Sequence, residues 1–317
     1  YFSATINYFL LVMFSIILCV EFIMGNLGNG FIVLVNCMDW VKRRKISSID
    51  QILTALALFR IGTVWIFFLD WWVPVLYSNL WATVMIIRII YSTYTVINHF
   101  SIWFATSLSI FYFLKIATFS NSVFQYLRWR IKIVISGTLM VSLVILFLNI
   151  MVINLHIDSC VDEYRGNLSD SSGLSTDVHF FILLSFTISV FTFVPFTVSL
   201  VTFLLLIFSL WKHLKRMQHS AKGSRDTSTT AHVKALQTVI AFLLLYAIYF
   251  LSFLVQFLTS GFLNGYLIVF LTKAAGAAFP TGHSFVLILG NGKLRQASQS
   301  VLWRLRCKSQ DSEPSGP

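Results

Sequence analysis

The chain reads as long apolar runs separated by short polar ones. Seven runs, roughly 8–36, 47–76, 84–116, 132–154, 178–211, 233–258 and 266–289, are long enough to matter. A helix needs about 20 predominantly apolar residues to cross the hydrocarbon core, and it satisfies its own backbone without water. The pattern therefore predicts an all-α membrane protein, a seven-transmembrane helix bundle. Arg88 blurs the start of the third span. Beyond the seventh, Leu294, Ala297, Val301, Leu302 and Leu305 recur at helical spacing among Lys293, Arg295, Arg304 and Arg306. That predicts a short amphipathic helix lying along the membrane surface, its cations towards anionic headgroups. The polar stretch from Ser309 to Pro317 is expected to be disordered.

Composition removes the soluble alternative. Apolar residues are 57% of the chain and charged residues 11%, with a mean hydropathy of +0.80. A water-soluble surface needs about 25% charged residues. The net charge of +11 would suit nucleic acid, but its distribution argues against that partner. Nineteen of the 23 Lys and Arg lie in four places: Lys42–Lys45, the third connection (Lys115, Arg128, Arg130, Lys132), the fifth (Lys212, Lys215, Arg216, Lys222, Arg225, Lys234) and the tail. Odd connections and tail are thus basic, which places them in the cytoplasm and the amino terminus outside. The chain divides into a transmembrane domain, 1–291, and a cytoplasmic helix and tail, 292–317. Asn167-Leu168-Ser169, the sole glycosylation sequon, falls in the fourth connection, on the expected outer side. The first residue is Tyr1, so a few residues are expected to precede it, and the first span is expected to act as its own insertion signal. Plasma-membrane residence follows from this reading as an expectation.

Several chemistries find no support. Transporters favour acids at mid-membrane, and apart from Asp50 at the very start of the second span only Glu21 and Asp70 fall within the spans. None of the seven histidines pairs with another one helical turn away inside a span, so neither metal nor catalysis is expected. No cofactor is implied. Rhodopsin-like receptors are a poor match too: the third span ends Phe111-Tyr112-Phe113-Leu114-Lys115, and Pro280 is followed by Thr281-Gly282-His283-Ser284.

A different family fits throughout. Asn29-Gly30-Phe31-Ile32, Val35 to Trp40 and Ile46 to Leu53 resemble the first and second helices of type 2 (bitter) taste receptors. Arg60, Asn98 to Ser101 and Phe111 to Ser120 continue the resemblance. So do Leu206 to Leu210 with His213 and Met217; then His232, Ala235, Leu236 and Tyr246; and finally Pro280, His283, Ser284, Leu287 and Lys293 to Gln296. The resemblance covers nearly the whole chain. It implies a G-protein-coupled receptor taking bitter small molecules from outside and acting on a heterotrimeric G protein of the gustducin or inhibitory class. Membrane lipid, sterol included, is the other partner to consider. A pheromone-type chemoreceptor is the alternative within this topology, and an ion-coupled transporter the alternative outside it.

Placement in the bundle, together with the resemblance, assigns residues. Ligand contact falls to Trp65, Asp70, Trp72, Tyr94, Asn98, Phe186, Tyr246, Tyr249, Phe253 and Lys273 in the outer halves of the spans, an aromatic lining suited to apolar ligands. Tyr94 departs from the tryptophan many members carry. Asn29, Arg60, Pro280, His283 and Ser284 form the expected activation network; a structural clamp is the other reading of Arg60. Pro280 removes a backbone hydrogen bond where a switch can hinge. Tyr112, Lys115, Ser209, His213, Met217 and His232 are assigned to the G-protein face. Asp70 and Lys273 lie near the outer ends of neighbouring spans, and either pair or snorkel separately into water.

Overall fold

The computed structural model describes residues 2–43, 47–76, 84–166, 173–220, 227–259 and 266–311. These residues form nine helices: α1 (Phe2–Arg43), α2 (Ser48–Leu76), α3 (Val84–Ile116), α4 (Ser122–Trp129), α5 (Ile131–Gly166), α6 (Gly173–Ser220), α7 (Thr227–Thr259), α8 (Tyr266–Gly290) and α9 (Gly292–Asp311). Each predicted span lies within one helix, apart from Ser47, which sits one residue before α2. Its hydroxyl accepts from the Asp50 N–H at 3.2 Å and so caps the helix. Six helices among the described residues, α1, α2, α3, α5, α6 and α7, are long and apolar enough to cross a membrane. The seventh predicted span, α8, is 25 residues long but carries Lys273, Pro280, Thr281 and His283. A helix packed among protein neighbours can hold such residues, and α8 packs against α7, α1 and α2.

Helices α1, α2, α3, α5, α6, α7 and α8 close into a ring by contacts between successive members, α8 returning to α1. Helix α3 also reaches α6 and is the axial element: 67% of its most apolar stretch is buried, against 17% for α1. Leu56, Ala105, Leu108, Leu206, Phe242 and Leu287 belong to one continuous core running the length of this ring. A smaller cluster of Phe14, Leu18, Trp71 and Ala277 joins α1, α2 and α8 at the end remote from the cations. Outward-facing Ile16, Val20, Ile23, Leu27 and Leu34 on α1 are exposed, as a lipid-facing stripe requires.

Small residues set the α1–α8 approach. A Cβ at Gly28 would lie 2.4 Å from Ser284 Oγ and 3.2 Å from Ser284 Cβ. Without a driving force from water, close backbone approach at such positions is what holds helices together in lipid. Gly28→Ala is expected to cost about 1–3 kcal/mol through overpacking. Lower surface expression measures this loss, and Ser284→Gly on the same background should restore part of it.

Two local features depart from expectation. Helix α4 falls in the third connection, where no helix was anticipated. The Asn121 side chain accepts from Val123 N at 2.8 Å to start it, and Phe124 buries against Phe113 and Phe119 to hold it. Helix α9 runs to Asp311, so the expected disorder from Ser309 does not hold for its first three residues. Asn291 Oδ1 caps α9 through the N–H groups of Lys293 and Leu294. Lys293 Nζ then reaches Asp39 at 2.9 Å, Asp50 at 3.2 Å and Asn36 Oδ1 at 3.1 Å. One cation thereby ties α9 to both α1 and α2.

Candidate functional site

Helix α7 carries Phe242, Tyr246, Tyr249 and Phe253, spaced four, three and four residues apart, which puts all four on one face. All are buried, and Phe242, Tyr246 and Tyr249 each meet the Phe279 ring of α8. Tyr246 stacks on Phe279 with centroids 5.1 Å apart, and Tyr249 meets the same ring at 4.9 Å. Phe253 packs edge-on against Tyr249 at 4.9 Å, while Phe242 reaches the His283 ring at 4.2 Å. The column is also tied to the axial helix by a polar contact. The Tyr249 hydroxyl donates to Asn98 Oδ1 at 2.6 Å.

On its other side Asn98 borders a cleft between α3, α5 and α6. Tyr94, His99, Trp103, Asn149, Thr192 and Pro195 are among its lining residues. His99 is 5% exposed and Asn149 7% exposed, yet His99 Nε2 and Asn149 Oδ1 have no hydrogen-bond partner among the described residues. A buried unpaired polar atom costs about 1–3 kcal/mol. Two such atoms meet at this cleft, whose free volume of about 20 Å³ has room for a water-sized group. Sequence reasoning missed both residues, although a histidine and an amide in mid-span carried the signal.

At the foot of the column lies Arg60, fully buried in α2. Its Nη2 hydrogen-bonds His283 Nδ1, and its guanidinium carbon sits 5.0 Å from the Phe279 centroid. Because arginine only donates, His283 Nδ1 is the acceptor and the neutral ring keeps its proton on Nε2. Asn29 Nδ2 donates to the Gly25 carbonyl at 2.9 Å and to the Pro280 carbonyl at 3.2 Å, crossing from α1 to α8. Ser284 instead turns its hydroxyl back to the Thr281 carbonyl at 2.6 Å. Four of the five expected network residues therefore converge, and Ser284 supplies packing beside Gly28.

The comparisons with known proteins agree on one family. The model for the family described as "Taste receptor protein (TAS2R)" matches residues 7–306. Taste receptor type 2 member 14 of Macaca mulatta is 55% identical over 303 residues, covering 96% of this chain and 95% of that protein. The Homo sapiens member 14 is likewise 55% identical over 303 residues, with coverage of 96% and 95%. Taste receptor type 2 member 140 of Rattus norvegicus is 52% identical over 302 residues, covering 95% of this chain and 97% of that protein. The chain belongs to the type 2 taste receptor family. It is a multi-pass membrane receptor and not an enzyme.

In this taste receptor the remaining expected ligand contacts divide. Lys273 Nζ of α8 meets Asp70 Oδ2 of α2 at 2.8 Å, the paired alternative of the two. Trp72 lies nearby, packed beside the cluster of Phe14 and Trp71. Trp65 and Phe186 point away from the interior, 48% and 46% exposed. Trp65 Nε1 donates to Asn26 Oδ1 at 3.1 Å, and its ring packs edge-on against Phe22 across the α1–α2 seam. Indole and phenyl groups are as much at home against lipid as in a cavity, so a tryptophan on a uniformly apolar helix carries no mark of its face.

At the basic end, Lys115 is exposed with Nζ 5.8 Å from the Phe111 centroid, and Tyr112 is half-buried. Ser209 is buried and its hydroxyl accepts from the Thr118 N–H at 2.9 Å, securing the end of α3 against α6. The side chains of His213, Met217 and His232 lie outside the described residues, as does Asn167.

The Asn98–Tyr249 hydrogen bond is open to a direct test. A buried neutral hydrogen bond contributes about 0.5–1.5 kcal/mol, up to roughly tenfold in an equilibrium. Asn98→Ala and Tyr249→Phe are each expected to shift agonist potency by roughly that factor. The double variant should be no worse than the weaker single one, since both remove the same bond. Additive losses in concentration–response curves would count against a shared role.

Proposed function

We propose that the receptor sits in the plasma membrane with its amino terminus outside and its basic end in the cytoplasm. There it responds to bitter small molecules by activating a heterotrimeric G protein of the gustducin or inhibitory class. The ligand occupies the region between Tyr94, Asn98, His99 and Asn149 and the Tyr249–Phe253 part of the column, with Asp70 and Lys273 at its outer edge. Apolar walls with few polar groups suit chemically varied, mostly apolar compounds.

One observation carries this reading: Asn98 faces the cleft and also accepts the Tyr249 hydroxyl. A ligand that competes for Asn98 changes the seating of Tyr249, hence of Phe279, which contacts both Tyr246 and His283. His283 holds Arg60. Ligand and G protein then act on one equilibrium, each favouring the arrangement it binds more tightly. The G protein engages Tyr112, Lys115 and the ends of α6 and α7, including His213, Met217 and His232. Membrane lipid, sterol included, bathes the outer faces of α1, α5 and α6.

A panel of bitter compounds applied to cells that express the receptor with a chimeric calcium-coupled G protein tests the proposal. Responses to some members are expected. Silence across a broad panel, with surface expression verified, would overturn it. Orientation has a separate check: Asn167→Gln should abolish a glycosidase-sensitive gel shift.

A further inference from the structure

At the basic end a second cleft opens between the end of α3, helix α4 and α6. Its volume is about 730 Å³, and Arg128, Lys212, Gln125, Thr118, Ser120 and Trp129 help to line it. Asp39 and Asp50, the two acids at this end whose side chains are described, are both held by Lys293. No carboxylate among the described residues pairs with Arg128 or Lys212. Neighbouring cations are engaged elsewhere: Arg130 lies over the Trp129 ring at 4.7 Å and Lys215 over the Trp211 ring at 5.6 Å.

The two helices flanking the cleft also expose apolar side chains. Val123, Tyr126 and Trp129 of α4 are 64%, 60% and 76% exposed, and Phe208 and Trp211 of α6 are 51% and 57% exposed. Aromatic side chains so exposed beside cations mark the depth where acyl chains give way to headgroups. A soluble anion would use the two cations and leave Trp129 and the other exposed apolar side chains of α4 and α6 bare. An inner-leaflet lipid satisfies both, placing its phosphates on Arg128 and Lys212 and its chains along α4 and α6. The geometry points to a binding site for a phosphorylated inositol lipid here. The cleft has room for a sugar ring, and Thr118, Ser120 and Gln125 offer hydroxyl and amide partners for it. The occupant bridges α4 to the cytoplasmic end of α6 and restrains α6. This inference rests on the cytoplasmic placement of the basic end, since such lipids reside in that leaflet.

Purified full-length receptor in phosphatidylcholine nanodiscs, with and without phosphatidylinositol 4,5-bisphosphate, tests the site without any taste ligand. Bound lipid per receptor is read by native mass spectrometry. Arg128→Gln with Lys212→Gln is expected to lower lipid affinity at least tenfold, while Arg130→Gln with Lys215→Gln changes it less than twofold. Both pairs are exposed, and monodisperse elution confirms folding. Equal loss in the two double variants would mean diffuse charge attraction and would overturn the site. Equally tight binding of soluble inositol trisphosphate would overturn the lipid assignment. So would an Arg128/Lys212 defect confined to G-protein activation with lipid affinity intact. Failure of the bitter-compound panel would leave these readings unaffected.

Discussion

Arg60→Leu is expected to abolish the calcium response to every agonist while leaving the receptor at the surface and at least as stable as before. An arginine at membrane depth costs about 2.5–3.5 kcal/mol even on the mildest scale. Arg60 is fully buried and bonded to one neutral ring, and its Nε and Nη1 have no partner among the described residues. Residues that exist for stability are not left in that condition. Replacing a poorly compensated charge by an apolar side chain of similar volume is often neutral or stabilising. Function is another matter, because the guanidinium touches both His283 and Phe279 and so couples α2 to the α7–α8 column. Leucine keeps the volume and loses the coupling. Melting temperature of the purified variant and calcium release in cells separate the two roles. Destabilisation of several kcal/mol with signalling retained in the surviving fraction would make Arg60 a clamp. His283→Phe is expected to share the signalling loss, and adding it to Arg60→Leu should do no further harm.

The same contrast explains what could be read from the sequence. Helices and their order were legible because a span imposes a long apolar run that nothing else requires. Lys42, Arg128, Lys212 and Lys293 showed where those runs end. Arg60, His283 and Asn29 were legible because polar groups are costly at that depth and stand out singly. Faces were not. On a helix apolar all round, periodicity gives no direction, so Trp65 and Phe186 read the same as Tyr249 and Phe253. Only the four-three-four spacing from Phe242 to Phe253 held the direction, and it emerges once Phe279 is seen beside it. Helix α4 escaped notice because eight residues in a polar connection make too short a pattern. The hub at Lys293 was hidden for a different reason. In sequence it is one more basic tail residue, and its three acceptors lie over 240 positions away.

Exchanging the charges at positions 70 and 273 should give the second largest effect, and a partly reversible one. Lys273 Nζ and Asp70 Oδ2 are 2.8 Å apart, with side chains 29% and 20% exposed, so water screens them only in part. Breaking such a pair is expected to cost about 1–3 kcal/mol, between the surface and buried limits. Asp70→Lys leaves two cations facing one another and Lys273→Asp leaves two anions. Either is expected to lower agonist potency roughly tenfold or more, because α2 and α8 then part at the ligand's outer edge. The double exchange restores attraction at the same distance and should recover most of the potency for uncharged agonists. Charged agonists provide the sharper test. If Lys273 also meets the ligand, an acidic agonist should stay weak in the double exchange even as neutral ones recover. Equal recovery for both classes would confine the pair to holding the helices together, and no recovery for either would mean that the side chains act separately.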